Sequence, residues 1–190
     1  MLLRSRKRFP DHAILAEESG ALAALPGSSR VRWIIDPLDG TTNYAHRYPA
    51  FCVSIAVEED GELACGAVYD PFRDELYTGS RGMGAFLNGQ ELQVSGAGML
   101  SESLLITGFP YNFRDRVSEI MSQFRGFLEA SHGVRRGGSA ALDLCYLAGG
   151  RCDGFWELNL NPWDTAAACV IAEEARARIT NFSEIGRAHV

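Results

Sequence analysis

The sequence predicts an α+β fold of layered α/β type: an antiparallel meander sheet followed by a smaller α/β subdomain. Three observations predict it. Residues 51–94 hold short strand-like runs separated by turn signals, including Asp60-Gly61 and Asn88-Gly89. Residues 103–182 instead alternate strand-like runs with helical periodicity. At 190 residues, with 46% hydrophobic and 22% charged residues, the chain has enough material for a sizeable core. The expected division is a sheet subdomain over 1–110 and an α/β subdomain over 111–182.

The basic opening, residues 1–10, carries no start-of-domain signal and reads as a cut end. Ile14 and Leu15 suggest a short strand running into Glu17-Glu18, and the Gly/Ala/Pro/Ser-rich segment 20–29 reads as a loop. The apolar run 31–35 is a buried strand. Pro37 fixes φ and offers no N–H to a ladder, so this strand is expected to stop at Asp36. Meander strands are expected over 51–58, 63–70, 75–80, 85–87 and 90–94. Gly82 and Gly84 lie between two of them rather than at a strand-to-helix turn, which makes a dinucleotide fingerprint a poor reading.

A further strand is expected over 103–107. Val117, Ile120, Met121, Phe124, Phe127 and Leu128 then recur at helical spacing, predicting an amphipathic helix over 114–130. A short strand at 133–136 leads to Gly137-Gly138-Ser139, which opens a helix closed by Gly149-Gly150. A strand over 152–158 precedes Asn161-Pro162, an N-cap followed by a first-turn proline, and a helix to about residue 176. One more strand begins at 179–182. Residues 184–190 read as the in-frame translation of a sequencing-adapter oligonucleotide, which makes 183–190 a non-native tail.

A net charge of −6 argues against nonspecific nucleic-acid binding, which needs a basic face. An acidic protein that handles an anion needs cations to reverse the local field. The five cysteines form no CxxC pair and sit mostly in apolar runs, reading as buried reduced thiols of a cytoplasmic protein. No apolar run has the length of a membrane span, and no signal peptide opens the chain.

Chemistry concentrates in acids at element ends: Glu17, Asp36, Asp39 and Asp164. Singly they have plain readings, as a solvated loop acid, a turn residue beside glycine, or a charge balancing a helix N-terminus. Asp36, directly after Trp33-Ile34-Ile35, is the hardest to dismiss. Together, carboxylates beside backbone amides and hydroxyls suit hard cations and phosphates. Trp33 and Trp163 read as packing residues, His46 as structural, Arg135-Arg136 as solvated or ion-paired ahead of meeting an anionic substrate, and Asp153 and Glu173-Glu174 as surface acids.

Asp36-Pro37-Leu38-Asp39-Gly40-Thr41-Thr42-Asn43 resembles the first signature of the inositol monophosphatase family, and Trp163-Asp164-Thr165-Ala166-Ala167-Ala168 resembles the second. Ala16-Glu17-Glu18-Ser19 matches an upstream element; residues 133–141 and Phe155-Trp156-Glu157 fit in order. The likeness covers nearly all of 10–182 and implies the inositol-monophosphatase-like (sugar phosphatase) fold. It implies two or more Mg²⁺ ions, one held by Glu17, Asp36 and the Leu38 carbonyl, another by Asp36, Asp39 and Asp164. It also implies that Thr41, helped by Glu17, orients the attacking water. Gly40 and Thr41 amides would bind phosphate, while Glu157, Gly138, Ser139 and Ala140 would line the alcohol side. The implied activity is Mg²⁺-dependent, Li⁺-sensitive hydrolysis of a phosphate monoester, first of all myo-inositol monophosphate, by a homodimer when full-length. Histidinol phosphate, a sugar bisphosphate or a phosphoadenosine nucleotide are alternative substrates, and an inactive or partner-binding protein that keeps the fold is the remaining alternative. The chain departs from the family pattern in Ala168 and in Glu174-Ala175-Arg176-Ala177, where glycines are usual, and in lacking flanking segments at both ends.

Overall fold

The computed structural model describes residues 2–18, 20–22, 30–110 and 112–183. The chain opens with α1 (Leu2–Arg8), whose Arg6, Lys7 and Arg8 lie in the last turn, where cations complement the helix dipole. The sequence pattern did not announce this helix. Strands β1 (Ala13–Ala16), β2 (Gly20–Leu22) and β3 (Val31–Asp39) follow, so part of the expected loop at 20–29 is a strand; residues 23–29 lie outside the described residues. After α2 (Thr41–Ala45) come β4 (Cys52–Glu59), β5 (Glu62–Asp70), β6 (Glu75–Ser80), β7 (Gly84–Leu87) and β8 (Gln90–Glu91). These eight strands form one sheet ordered β2-β1-β3-β4-β5-β6-β7-β8. It is antiparallel throughout except that β1 and β3 run parallel.

The second half supplies β9 (Leu104–Thr107), α3 (Val117–Ala130), β10 (Gly133–Arg136), α4 (Ala140–Ala148), β11 (Gly154–Trp156) and α5 (Pro162–Glu174). Its three strands make a parallel sheet ordered β10-β9-β11. The expected strand at 90–94 shrinks to Gln90–Glu91, that at 152–158 to Gly154–Trp156, and that at 179–182 to a single bridge at Thr180. In α3, Ile120 is buried, but Val117, Met121 and Leu128 of the same apolar stripe stay exposed. The Phe127 and Trp156 rings pack at a tilt, with centroids 4.3 Å apart, and so tie α3 to the small sheet.

Pro37 does not end β3. The ladder to β4 pairs Asp36 with Ser54 and then Asp39 with Cys52, so three steps on β3 face two on β4. The extra residue is a β-bulge, one of the few places where a sheet accepts proline. Its effect is directional. In a regular strand, residues an odd number apart point to opposite faces. Ser54 and Cys52 are two apart and both buried, so their partners Asp36 and Asp39 share one face.

That face is covered by α5. A Cβ on Gly66 would lie 2.4 Å from the Ala167 carbonyl oxygen, and one on Gly79 would lie 2.9 Å from the Ile171 Cα. The two glycines on β5 and β6, with the run Ala166-Ala167-Ala168, let the helix backbone lie directly on the sheet. Ala168, placed where the resemblance expects glycine, is fully buried here. One apolar cluster joins Ile34, Val68, Tyr77 and Ala85 of the large sheet to Leu142, Cys145, Val170 and Ile171 of α4 and α5. No helix among the described residues is long and apolar enough to cross a membrane.

Candidate active site

Three segments bring the acids together. Ala16 lies beside Ile35 in the parallel β1–β3 pair, so the next residue, Glu17, arrives beside Asp36. The β3 bulge presents Asp36 and Asp39 on one face. Helix α5, seated on that face, brings Asp164 in its first turn.

Each aspartate is oriented by a backbone amide. Asp36, buried, accepts the Leu38 N–H at 2.9 Å. Asp39 accepts the Ala141 N–H at 2.8 Å and the Ser139 hydroxyl at 2.7 Å through the same oxygen. Ser139 is the N-cap residue of α4 but makes no side-chain cap; Asp39, from another strand, serves an amide of that helix instead. Asp164 accepts the Asn161 N–H at 2.7 Å at the start of α5. Among the described residues, no group of three or more His, Cys, Asp and Glu side chains stands gathered as a ready-made metal cage.

The acids nevertheless feel one another. Burial, with added repulsion from Asp39, Glu17 and Asp164, pushes Asp36 up to about 8 against the help of the Leu38 amide. Asp39 is raised to about 6 by burial, opposed by Ser139 and Ala141. Burial also raises Asp164. Glu17 is raised by desolvation and by the Asp164 charge, and its carboxyl reaches Asp36 for a hydrogen bond. An all-oxygen set of carboxylates fits a hard divalent cation, whose charge would offset the burial and the repulsion that raise them.

Gly40 sits at φ +85°, and a Cβ there would lie 2.7 Å from the Ala50 carbonyl oxygen. Only glycine is comfortable in that left-handed conformation. Its N–H is turned to the Asp39 carboxyl. Thr41 begins α2 and donates its hydroxyl to the Leu38 carbonyl at 3.0 Å. With its one proton committed, its oxygen is left to accept a hydrogen bond from a water.

Asp39, Thr41 and Asp164 stand in the lining of a cleft of about 290 Å³ that also takes in Gly138, Ala140 and Glu157. Glu17, Asp36 and Leu38 do not line it, and Ser139 is buried behind it. Burial, with the charges of Asp39 and Asp164, pushes Glu157 up to about 7 while Arg136 opposes. Gly138, at φ +87°, is braced by Asn43, whose amide nitrogen donates to Ala50, Gly137 and Gly138 carbonyls at 2.7, 3.0 and 3.3 Å.

Sequence reasoning missed several contributors. The Cys52 thiol lies 3.8 Å from Asp39 and 3.6 Å from the Ser139 hydroxyl. Asp143 is buried behind Gly137-Gly138, and burial lifts it to about 8. Neither has a local signal; both come from elements distant in sequence. Asp153 is not an ordinary surface acid: it accepts the Leu104 N–H at 2.6 Å and the Ser95 hydroxyl. Glu174 likewise accepts the Gly82 and Gly84 amides, both at 2.8 Å, and holds the β6–β7 turn. Trp33 packs as expected, stacking with His12 and donating to its Nδ1 at 2.8 Å.

Two sheets with packed helices and a bulged strand carrying paired acids define a protein of the sugar-phosphatase fold class. Comparison with known proteins gives the family. The model of the inositol monophosphatase family matches residues 1–189, and the chain belongs to that family. It is 50% identical to the inositol-1-monophosphatase of Synechocystis over 180 residues, covering 93% of this chain and 61% of that one. It is 45% identical to the Nus factor SuhB of Pseudomonas aeruginosa over 180 residues, covering 94% and 66% respectively. The solved inositol monophosphatase of Anabaena (Nostoc) superposes with a TM-score of 0.92 at 46% identity, covering 98% of this chain and 73% of that one. The chain spans just under two thirds of the length of these curated relatives.

Proposed function

We propose that this chain is the catalytic part of a Mg²⁺-dependent phosphomonoesterase that releases inorganic phosphate from a polyol phosphate, first of all myo-inositol monophosphate. The observation that carries this reading is the convergence of Glu17, Asp36, Asp39 and Asp164 from three distant segments, each raised in pKa by its surroundings. Glu17, Asp36 and the Leu38 carbonyl would hold one ion, and Asp36, Asp39 and Asp164 another. Bound there, the ions would supply charge neutralisation for the phosphate and a lowered pKa for water.

The chain's own groups do the rest. Thr41 accepts a hydrogen bond from the attacking water and so aims it, and the Glu17 carboxylate takes up the proton released. The Thr41 amide, in the first turn of α2, faces phosphate oxygens, with Gly40 giving the tight approach. Glu157 accepts from a hydroxyl of the leaving alcohol, and Gly138 and Ala140 shape that side. Ser139 acts from behind, by holding Asp39.

The free thiols of all five cysteines support a reducing, cytoplasmic setting, and a homodimer belongs to the full-length reading. Relatives named Nus factor SuhB motivate a second reading, a partner-binding protein that keeps the fold. The discriminating experiment is phosphate release from a panel of monoesters with and without Mg²⁺, in the parent and in Asp36→Asn and Asp164→Asn. Activity that requires Mg²⁺, is inhibited by Li⁺ and falls by orders of magnitude in both variants is expected. Metal-independent turnover, or full activity in either variant, would contradict it.

A further inference from the structure

Arg136 ends β10 and lines the cleft. The charged residues lining the cleft with it, Asp39, Glu157 and Asp164, are acids. Among the described residues its guanidinium makes no ion pair and no hydrogen bond. It lies instead over the Phe109 ring, 5.4 Å from the centroid. The side chain also crosses Gly138, where a Cβ would stand 2.3 Å from its Nη1. A guanidinium over an aromatic ring is attracted by the ring's electron-rich face and keeps its N–H donors for other partners. Arg136 is exposed, as the expectation of a solvated arginine has it, and it pairs with no acid among the described residues. It is a cation laid across the alcohol side of an otherwise acidic cleft, with its donors unspent.

We infer that Arg136 determines substrate choice by pairing with a second anionic group, phosphate or carboxylate, on the alcohol half of the phosphate monoester. This rests on the phosphatase reading, since it concerns the far end of the same substrate. A planar fork of donors matches either oxyanion bidentately. The other charged side chains lining the cleft, Asp39, Glu157 and Asp164, are carboxylates that would repel a second anion placed there. The contact with the Phe109 ring favours this placement of the arginine before binding, which lowers the ordering cost of pairing with an anion.

The test has two readouts on the full chain with Mg²⁺ present. The first is kcat and KM for fructose 1,6-bisphosphate, 3-phosphoglycerate and myo-inositol 1-phosphate in the parent, Arg136→Ala, Arg136→Lys and Arg135→Ala. The second is calorimetric binding of the two doubly anionic compounds with Ca²⁺ in place of Mg²⁺, which reads recognition without turnover. In Arg136→Ala, KM and Kd for at least one doubly anionic compound are expected to rise about tenfold or more, with kcat changing less. The inositol ester is expected to change by less than about threefold, because its alcohol carries no second charge. Arg136→Lys recovers part of the loss, and Arg135→Ala, whose side chain lies outside the cleft lining, behaves as the parent. Loss confined to the bisphosphate assigns the contact to phosphate; loss confined to 3-phosphoglycerate assigns it to carboxylate. Equal losses on all three substrates, unchanged Kd in Arg136→Ala, or no binding of either doubly anionic compound would overturn the inference. Binding that depends on Arg136 without turnover of any ester would keep the inference and reject the phosphatase activity.

Discussion

Asp39 is the residue on which the site turns, because it faces two ways. One oxygen is pinned by Ser139 and the Ala141 amide at the start of α4, and its carboxyl is also offered to the cleft. Removing the hydroxyl should therefore reach activity through Asp39. Ser139→Ala is expected to cost about 1.5–3 kcal/mol in a denaturant titration, the range for a lost hydrogen bond to a charged group. It should lower kcat more than it raises KM, since Ser139 itself is buried away from substrate. Equal KM and kcat effects would mean that the serine meets the substrate directly. The aspartates at this scale were legible from the sequence, because acid-Pro-Leu-acid-Gly at a strand end is unusual chemistry in consecutive residues. Their holders were not. Ser139 lies a hundred positions from Asp39, and no local pattern connects them.

At the scale of elements, the bulge in β3 and the close seating of α5 decide where the acids point. The bulge sets Asp36 and Asp39 on one face, and the seating delivers Asp164 to it. Gly66→Val inserts a side chain where Ala167 backbone already lies and should destabilise the fold by about 1–3 kcal/mol, the usual cost of overpacking. Gly61→Ala is the control. It sits at φ +83° with nothing near its Cβ, so it should cost about 1 kcal/mol from backbone strain alone. Thermal melts of the two variants check the comparison, and equal costs would contradict the close-contact account. Strands β6 and β10 fell where alternation and turn residues placed them, as did the start of α5 after Asn161. Other elements escaped for stated reasons. Five-residue α2 is too short for a period to show, and α1 has no apolar stripe to reveal it. Proline inside β3 became readable only once the bulge was seen.

At the scale of the whole molecule, the cleft region holds buried, mutually repelling acids that pH and cations should tune. Asp36 and Asp143 stand at about 8, Glu157 at about 7 and Asp39 at about 6, all above the carboxyl values of an unfolded chain. A group whose folded pKa is raised binds more protons folded than unfolded between its two pKa values. The cation-free protein should therefore lose stability as pH rises from about 4 to about 8. A divalent cation bound by the ionised cluster should reverse the trend, so Mg²⁺ should raise Tm more at pH 8 than at pH 5.5. Melting curves at both pH values with and without Mg²⁺ give the comparison; a Mg²⁺ effect larger at pH 5.5 would place the ion elsewhere.

The central claim is that Glu17, Asp36, Asp39 and Asp164 act as one cation-binding set, and calorimetric titration of Mg²⁺ into the chain at pH 8 tests it most directly. Saturable binding of more than one ion per chain is expected, weakened or abolished separately by Glu17→Gln, Asp36→Asn, Asp39→Asn and Asp164→Asn. Binding that survives unchanged in Asp36→Asn and Asp164→Asn would contradict it.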